Sequence, residues 1–209
     1  MTSPRLAAPL ATLFAAAFVL AACSKQEAPA PAAAAAPTAA ASAPAAQAVQ
    51  GVTIEEIQAQ TQGFTAGQAM AARTVYIFFD AQCPHCGALW YASQPLKSQA
   101  KFVWIPVRLL KDDSATQGAA ILASKDPVKA MDDHEASMMD HKGGIKPEGD
   151  IAAQQAAVKK NTELFNKYGF SSVPTLVIKN TSTGAVVTHE GAMQTPDLAA
   201  FLGVPAPAK

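Results

Sequence analysis

The pattern of hydrophobic and polar positions between residues 51 and 209 predicts a mixed α/β domain. Four apolar runs have the length and the β-branched or aromatic content of strands: Val75–Phe79, Lys101–Val107, Thr175–Ile178 and Ala185–Glu190. Residues 114–168 carry a helical pattern that breaks at Gly143-Gly144 and at Pro147. Shorter helical segments are predicted after Thr53, over Gly87–Gln94 and from Thr195. This order predicts a central β-sheet flanked by helices, with a helical insertion over residues 114–168.

The first 22 residues have the pattern of an export signal. One basic residue, Arg5, precedes an apolar run over residues 6–20 that is too short for a membrane-spanning helix. Small residues and a cysteine follow, as Leu20-Ala21-Ala22-Cys23. This ending resembles the lipobox of bacterial lipoproteins, which implies cleavage before Cys23 and lipidation of its side chain. The alternative is an ordinary signal peptide that has a cysteine at its end by chance.

Residues 23–50 are predicted to be a tether between a lipidated Cys23 and the folded domain. Thirteen alanines and four prolines account for most of residues 28–46. The prolines interrupt any helix, and no apolar face can form, so we expect disorder. The chain therefore divides into a signal peptide (1–22), a tether (23–50) and a domain (51–209).

The balance of acidic and basic side chains argues against one class of binding partner, nucleic acid. The chain has 16 basic and 16 acidic side chains, and its isoelectric point is about 6.9. A neutral chain of this kind lacks the basic surface that nucleic-acid binding requires, so no nucleic-acid partner is expected.

The domain holds two cysteines, in the motif Cys83-Pro84-His85-Cys86, directly after the first predicted strand. A helix that begins at this motif would direct its unpaired N–H groups and its dipole at Cys83, which stabilises a thiolate. Pro84 suits the first helical turn, and His85 adds a donor or a positive charge close to Cys83. Two intervening residues let Cys86 reach Cys83, so the pair can form and exchange a disulfide. The motif therefore predicts redox catalysis through this pair.

Other interpretations of the cysteines and histidines remain open. A zinc site would need two more ligands, and the other histidines are scattered along the chain as His134, His141 and His189. The two cysteines could also form a purely structural disulfide. Met131, His134 and Met138 could share one helical face and bind copper, although such residues more often belong to a core and a solvated face. We expect no metal site and no cofactor besides the redox-active disulfide.

The second candidate feature lies at Val173-Pro174, before an apolar strand. Proline cannot donate a hydrogen bond to a central β-ladder, so its place at the start of this strand is unusual. A cis peptide bond would explain it, because the resulting turn presents the Val173 backbone to a binding partner. The alternative is a trans proline that begins an edge strand.

Residues 54–203 resemble the catalytic, thioredoxin-like domain of the periplasmic DsbC/DsbG disulfide isomerases, and DsbG most closely. The residues that carry this resemblance are Thr74–Phe78, Asp80, Cys83–Cys86, Trp90, Pro95, Ala119–Pro127 and Glu135–Ser137. The resemblance implies a thioredoxin-like fold, and disulfide exchange in which Cys83, Pro84, His85, Cys86, Val173 and Pro174 form the site.

Two departures from these isomerases affect the expected function. Their N-terminal dimerisation domain has no counterpart beside the tether, so a monomer is expected. Val173 stands where they typically have threonine, and Cys-Pro-His-Cys with Val-cis-Pro is the combination associated with the oxidase DsbA. The direction of electron flow is thus open, with oxidation favoured.

The expected function is disulfide exchange with exported proteins in the periplasm. The partners would be substrates with thiols or disulfides and a membrane redox protein similar to DsbD or DsbB, while the lipid on Cys23 would contact the membrane. The alternative is a non-catalytic binding module, a chaperone or a metal handler, in which the disulfide is structural.

Overall fold

The computed structural model describes residues 47–48 and 51–207, which belong to one compact unit. The predicted signal peptide, Cys23 and most of the tether lie outside the described residues. None of the described helices combines the length and the apolar character needed to cross a membrane.

The strands of the described residues form one mixed sheet in the order β1-β6-β5-β3-β4-β2. In chain order they are β1 Gln47–Ala48, β2 Phe64–Gly67, β3 Thr74–Asp80, β4 Lys101–Val107, β5 Thr175–Lys179 and β6 Val186–Glu190. β3 and β4 are parallel, and the other neighbouring pairs are antiparallel.

The described helices are α1 Ile54–Gln60, α2 Pro84–Ser93, α3 Asp112–Ala123, α4 Pro127–Met139, α5 Ala152–Lys167 and α6 Thr195–Leu202. Side-chain caps begin two of them: Thr53 accepts from the Glu56 N–H at 3.1 Å, and Asp126 accepts from the Lys129 N–H at 3.0 Å. Helices α3, α4 and α5 form the helical insertion between β4 and β5. The predicted fold class, a sheet flanked by helices with such an insertion, is confirmed.

β3 occupies the interior of the sheet, since six of its seven residues are buried and most of them are apolar. Its successive side chains point to opposite faces, so each face receives its own aromatic cluster. Phe78 contacts Phe165 of α5, with ring centroids 5.8 Å apart. Phe79 contacts Trp104 of β4 at 5.6 Å, and Trp104 packs against Trp90 of α2 at 5.1 Å. The core therefore fixes α2 on one face of the sheet and α5 on the other.

Both edge strands were absent from the sequence prediction. β2 has only one large apolar residue, Phe64, and ends at Gly67, which adopts a φ of +88° close to the Ala100 carbonyl. β1 is two residues long, and the sequence places Gln47 and Ala48 in the tether, whereas the structure pairs them with β6. Such short segments carry too little periodicity to be recognised as strands.

Candidate active site

Cys83 and Cys86 lie at the first turn of α2, as the sequence predicts. Cys83 is the N-cap residue, and Pro84 is the first helical residue. A backbone N–H at that position has no carbonyl partner within the helix, so its absence in proline costs no hydrogen bond. The N–H of Cys86 donates to the Cys83 carbonyl at 3.0 Å. Both cysteines are free thiols, with 6% of Cys83 and none of Cys86 exposed. One helical turn therefore holds the two sulfurs at different depths.

The pKa values of the two thiols are shifted in opposite directions. A hydrogen bond from the Cys86 thiol is the largest cause that lowers the pKa of Cys83, from its ordinary value of 9.0 to about 6, against desolvation by burial. The backbone N–H groups of Cys86 and His85 contribute next, and the charge of His85 contributes least. Burial, followed by the proximity of Cys83, raises the pKa of Cys86 well above its ordinary value. Cys83 is thus the thiolate at neutral pH, and Cys86 keeps its proton.

The loop before β5 completes the site from the opposite side. The Val173–Pro174 peptide bond is cis, as expected. The Cys83 sulfur lies 3.5 Å from the Val173 carbonyl oxygen, which accepts a hydrogen bond when Cys83 is protonated, although the two residues are 90 positions apart in the sequence. Sheet register explains this proximity, because Thr175 of β5 pairs with Phe78 of β3, close to the end of β3 from which the dithiol loop departs.

Hydrogen bonds from β6 hold this loop in place. The Ser171 and Ser172 hydroxyls both donate to one carboxylate oxygen of Glu190, each at 2.8 Å. The N–H of Gly191 donates to the Pro174 carbonyl at 2.8 Å. The Val173 backbone is therefore presented at a fixed position beside Cys83.

Asp80, the last residue of β3, anchors the loop that leads to the dithiol. Its fully buried carboxylate accepts from the N–H of Gln82 at 2.8 Å, and from those of Leu109 and Leu110 at 2.7 and 3.0 Å. Its carbonyl accepts from the N–H of Cys83 at 3.0 Å. One side chain thus joins the dithiol loop to the loop after β4.

Helix α4 of the insertion lies against the dithiol loop and α2. The Trp90 indole N–H of α2 donates to Asp132 at 2.7 Å. The Nε2 atom of His134 lies 2.6 Å from the Ala81 carbonyl, while its Nδ1 accepts from the N–H of Ile145 at 3.3 Å. Burial lowers the pKa of His134, so the ring is neutral and donates from Nε2.

Gln82, directly before Cys83, is held by the same insertion. Its amide hydrogen-bonds to Gln117 of α3 and lies 3.7 Å from the sulfur of Met138 of α4. The insertion therefore forms one wall of the site, whereas the Pro84 and His85 side chains are exposed to solvent.

This arrangement argues against a copper site, because His134 is not free to bind a metal. Both ring nitrogens of His134 already have hydrogen-bond partners, and Met131 is fully buried in the core. Among the described residues, no three or more histidine, cysteine, aspartate or glutamate side chains lie together in an arrangement that could hold a metal ion.

Sequence reasoning assigned no role in the site to two acidic residues. Asp80 ends an otherwise apolar buried strand, and that contrast is the signal that could have singled it out. Glu135 lies 49 positions after Cys86 in a polar stretch of α4, and nothing local distinguishes it from its acidic neighbours. Only the packing of α4 on α2 brings it to the dithiol.

Comparison with known families agrees with this geometry. The sequence profile of the thioredoxin-like domain family matches residues 64–203, from β2 to the end of α6. The chain belongs to this family. The thioredoxin-like fold that the sequence resemblance implies is thereby confirmed.

Two curated relatives of this thioredoxin-like chain are thiol:disulfide interchange proteins named DsbG. The Pseudomonas aeruginosa protein is 36% identical over 143 residues, which is 66% of this chain and 54% of the relative. The Escherichia coli protein is 31% identical over 112 residues, which is 53% of this chain and 45% of the relative. The chain thus spans about half the length of these relatives.

A solved structure shares the thioredoxin-like fold at low sequence identity. The catalytic domain of Proteus mirabilis ScsC superposes with a TM-score of 0.56 and is 18% identical, over 71% of this chain and 93% of that domain. This likeness concerns the fold alone.

Proposed function

We propose that this thioredoxin-like domain is a thiol:disulfide oxidoreductase that acts on protein substrates, with Cys83 as nucleophile and Cys86 as resolving thiol. The observation that carries the proposal is the unequal pair of thiols. Cys83 has a pKa of about 6 at the start of α2, whereas burial keeps Cys86 protonated one turn further on. A stabilised thiolate beside a protonated partner is what stepwise disulfide exchange requires. The names of the DsbG relatives support the same reaction.

In the oxidising direction, a substrate thiolate attacks Cys83 of the Cys83–Cys86 disulfide. Cys86 leaves and takes up a proton, and a mixed disulfide joins the substrate to Cys83. A second substrate thiolate then attacks the substrate sulfur of this bond and releases the Cys83 thiolate. The substrate loses two electrons and the dithiol gains them.

The low pKa of Cys83 favours oxidation of substrates. A thiolate of low pKa is a good leaving group, and its stability favours the reduced form of the enzyme. We therefore expect a reduction potential nearer the roughly −120 mV of DsbA than the about −270 mV of thioredoxin. A potential close to that of thioredoxin would make the protein a reductase.

The remaining predicted site residues have supporting roles in this proposal. Pro84 begins α2 at a position where no helical hydrogen bond is lost. His85 donates its backbone N–H to the Cys83 thiolate. The Val173 and Pro174 segment presents backbone groups beside Cys83 for the substrate chain. Val173 has no side-chain donor for the sulfurs, so it differs from threonine in how it holds a partner.

The cellular setting belongs to the same proposal. The export signal and the DsbG relatives support a periplasmic protein whose substrates are exported proteins. The partners would be these substrates and a membrane redox protein, with no nucleic acid and no cofactor besides the disulfide. A lipid on Cys23 would hold a monomeric domain near the membrane. A Cys23→Ser variant should then leave the membrane fraction and retain full dithiol activity.

Trapping of the mixed disulfide tests the assignment of the two thiols. A Cys86→Ala variant should accumulate substrates linked to Cys83, because no second thiol can release them. The matched Cys83→Ala variant should accumulate none, and both single variants should lose turnover of a model protein disulfide. Accumulation in the Cys83→Ala variant would reverse the assignment. Absence of turnover in the wild type would favour the non-catalytic binding module.

A further inference from the structure

An exposed carboxylate lies against the loop that leads to the cis peptide bond. Glu190, the last residue of β6, is exposed, and its Oε2 atom accepts from the Ser171 and Ser172 hydroxyls at 2.8 Å each. The N–H of Ser171 donates to the same oxygen at 3.3 Å. These three donors hold the carboxylate in one orientation although its side chain is open to solvent.

This carboxylate is ionised and has no cationic partner among the described residues. Burial would raise the pKa of Glu190, but hydrogen bonds from Ser171 and Ser172 hold it below its ordinary value. Within the described chain, no ion pair includes Glu190 and no hydrogen bond reaches its Oε1 atom. The His189 side chain points to the opposite face of β6, where its ring packs against Phe201. The negative charge is therefore available to a molecule that approaches from solvent.

The carboxylate lies within reach of a chain that reacts with Cys83. The Cys83 sulfur is 3.5 Å from the Val173 carbonyl oxygen. Ser172, which donates to Glu190, directly precedes Val173. These contacts and the dimensions of one peptide unit place the Glu190 carboxylate at most about 15 Å from the sulfur. An extended chain covers that distance in about four residues.

The opposite side of Cys83 carries a positive charge. Lys111, in the loop after β4, donates from Nζ to the Oε1 atom of Gln82 at 3.3 Å, and Gln82 directly precedes Cys83. The loop after β4 and the loop before β5 flank β3 on its two sides, because β3 lies between β4 and β5 in the sheet. A substrate chain that crosses Cys83 therefore meets a cation on one side and Glu190 on the other.

We propose that Glu190 selects protein substrates that carry a lysine or arginine within about four residues of the reactive cysteine. This inference rests on the proposed function, because it names the class of substrate that the dithiol prefers. The substrate cation binds the free oxygen of a carboxylate whose other oxygen is already fixed, so Glu190 loses little conformational freedom on binding. An acidic side chain at the same place is repelled.

Two pairs of peptides measure this preference. Each peptide has one cysteine in a disulfide with a neutral, chromophoric pyridine thiol. Within a pair, arginine or glutamate occupies the same two positions, before the cysteine in one pair and after it in the other. The Cys83 thiolate of the reduced full chain attacks the peptide sulfur, the peptide–pyridine disulfide breaks, and the pyridine thiolate leaves and takes a proton from water. Its absorbance gives the rate constant.

The ratio of the arginine rate to the glutamate rate reports the preference, since a change in Cys83 reactivity affects both peptides alike. Dividing this ratio by the one measured with mercaptoethanol removes the intrinsic difference between the peptides. For the wild type, the pair whose charges face Glu190 should give a corrected ratio of about three- to tenfold. This ratio should shrink toward one in about 0.5 M salt.

Three variants locate the preference. Glu190→Gln keeps an acceptor for the serine hydroxyls and removes the charge, so the ratio should fall to about one. This variant should also react faster than the wild type with the glutamate peptide, whereas damage to the loop would slow both peptides. Glu190→Lys should invert the ratio. As the matched control, Asp133→Asn removes an exposed carboxylate of α4 that pairs with Lys129, and it should retain the wild-type ratio.

The outcomes separate this proposal from the one on which it rests. A corrected wild-type ratio near one for both pairs overturns the selection by charge, and so does a ratio that persists in Glu190→Gln. If neither Glu190 variant folds, Ser172→Ala decides, because it withdraws one donor that orients the carboxylate, and an unchanged ratio there contradicts the proposal. If the wild type reacts with none of the peptides while mercaptoethanol does, the proposed function fails instead.

Discussion

At the scale of single residues, the chemistry depends on what one helical turn does to two identical side chains. Cys83 caps α2 and receives donors from the turn that follows it, whereas Cys86 lies inside that turn, out of contact with solvent. The same burial that keeps Cys86 neutral makes its S–H available as a donor to Cys83. The low pKa of Cys83 thus depends on the high pKa of Cys86, which keeps the donated proton in place.

This dependence predicts the order in which substitutions raise the pKa of Cys83. Cys86→Ala removes the largest cause of the low pKa and should raise it by about one unit or more, whereas His85→Ala removes the smallest and should raise it by less. Cys86→Ser keeps a donor and should lie near the wild type. The pH dependence of Cys83 alkylation measures all three. A larger effect of His85→Ala than of Cys86→Ala would show that the side chain at position 85 dominates.

At the scale of elements, α4 connects the insertion to the site through contacts to the dithiol loop and to α2. Its start is fixed by Asp126, whose side chain accepts from the N–H of Lys129. The exposed Asp132 and the buried His134 and Glu135 each meet a different part of the dithiol region. The insertion is therefore part of the candidate active site as well as an appendage to the sheet.

The cap of α4 predicts a measurable cost. Asp126→Ala should lower the free energy of unfolding by about 1 kcal/mol, because the first turn loses an acceptor for its N–H groups. Asp133→Ala, on the same helix, removes only an exposed ion pair with Lys129 and should cost about 0.5 kcal/mol or less. Denaturant unfolding of both variants measures the difference. Equal costs would mean that the cap contributes no more than a surface charge.

The elements show where sequence reasoning succeeds and where it stops. β3 and the dithiol turn were predictable, because an apolar run followed by Cys-x-x-Cys is a local signal. The cis bond at Val173 was predictable only from two signals together, the position of Pro174 before an apolar strand and the Cys-x-x-Cys motif elsewhere in the chain. The contact of Glu135 with Gly87 was not, since it depends on the packing of two helices far apart in sequence. β2 and β1 were missed because each is short and weakly apolar.

At the scale of the whole molecule, sheet register assembles the site from remote parts of the chain. The pairing of β5 with β3 places Val173 beside Cys83, and the parallel pairing of β4 with β3 brings Leu109 and Leu110 to Asp80. The site thus exists only when the sheet is complete. Reactivity of Cys83 and global stability are therefore coupled.

This coupling predicts how the stability of the reduced protein changes with pH. The folded-state pKa of Cys83, about 6, lies below its ordinary value of 9.0, so the ionised thiol stabilises the folded state fully above pH 9. This contribution is lost as pH falls to 6. We expect a decrease on the order of 1–2 kcal/mol after solvent screening.

The measurement is denaturant unfolding under reducing conditions, in a Glu135→Gln background. That background is needed because burial raises the pKa of Glu135, which gives a contribution of opposite sign between pH 4.5 and about 8. Cys83→Ser in the same background is the control, and its stability should lack this decrease between pH 9 and pH 6. An equal decrease in both proteins would assign the pH dependence to other groups.

The shortness of the two outermost strands affects whether another polypeptide can add to the edge of the sheet. β1 pairs with only two of the five residues of β6, and β2 at the other margin is four residues long. A margin this brief offers a second polypeptide few free amide and carbonyl groups to extend the sheet. Proteins that handle unfolded chains encounter many exposed segments that could add as an extra strand. Under the proposed function, the short edge strands disfavour such addition, and substrate chains would instead engage the face that carries the sulfurs.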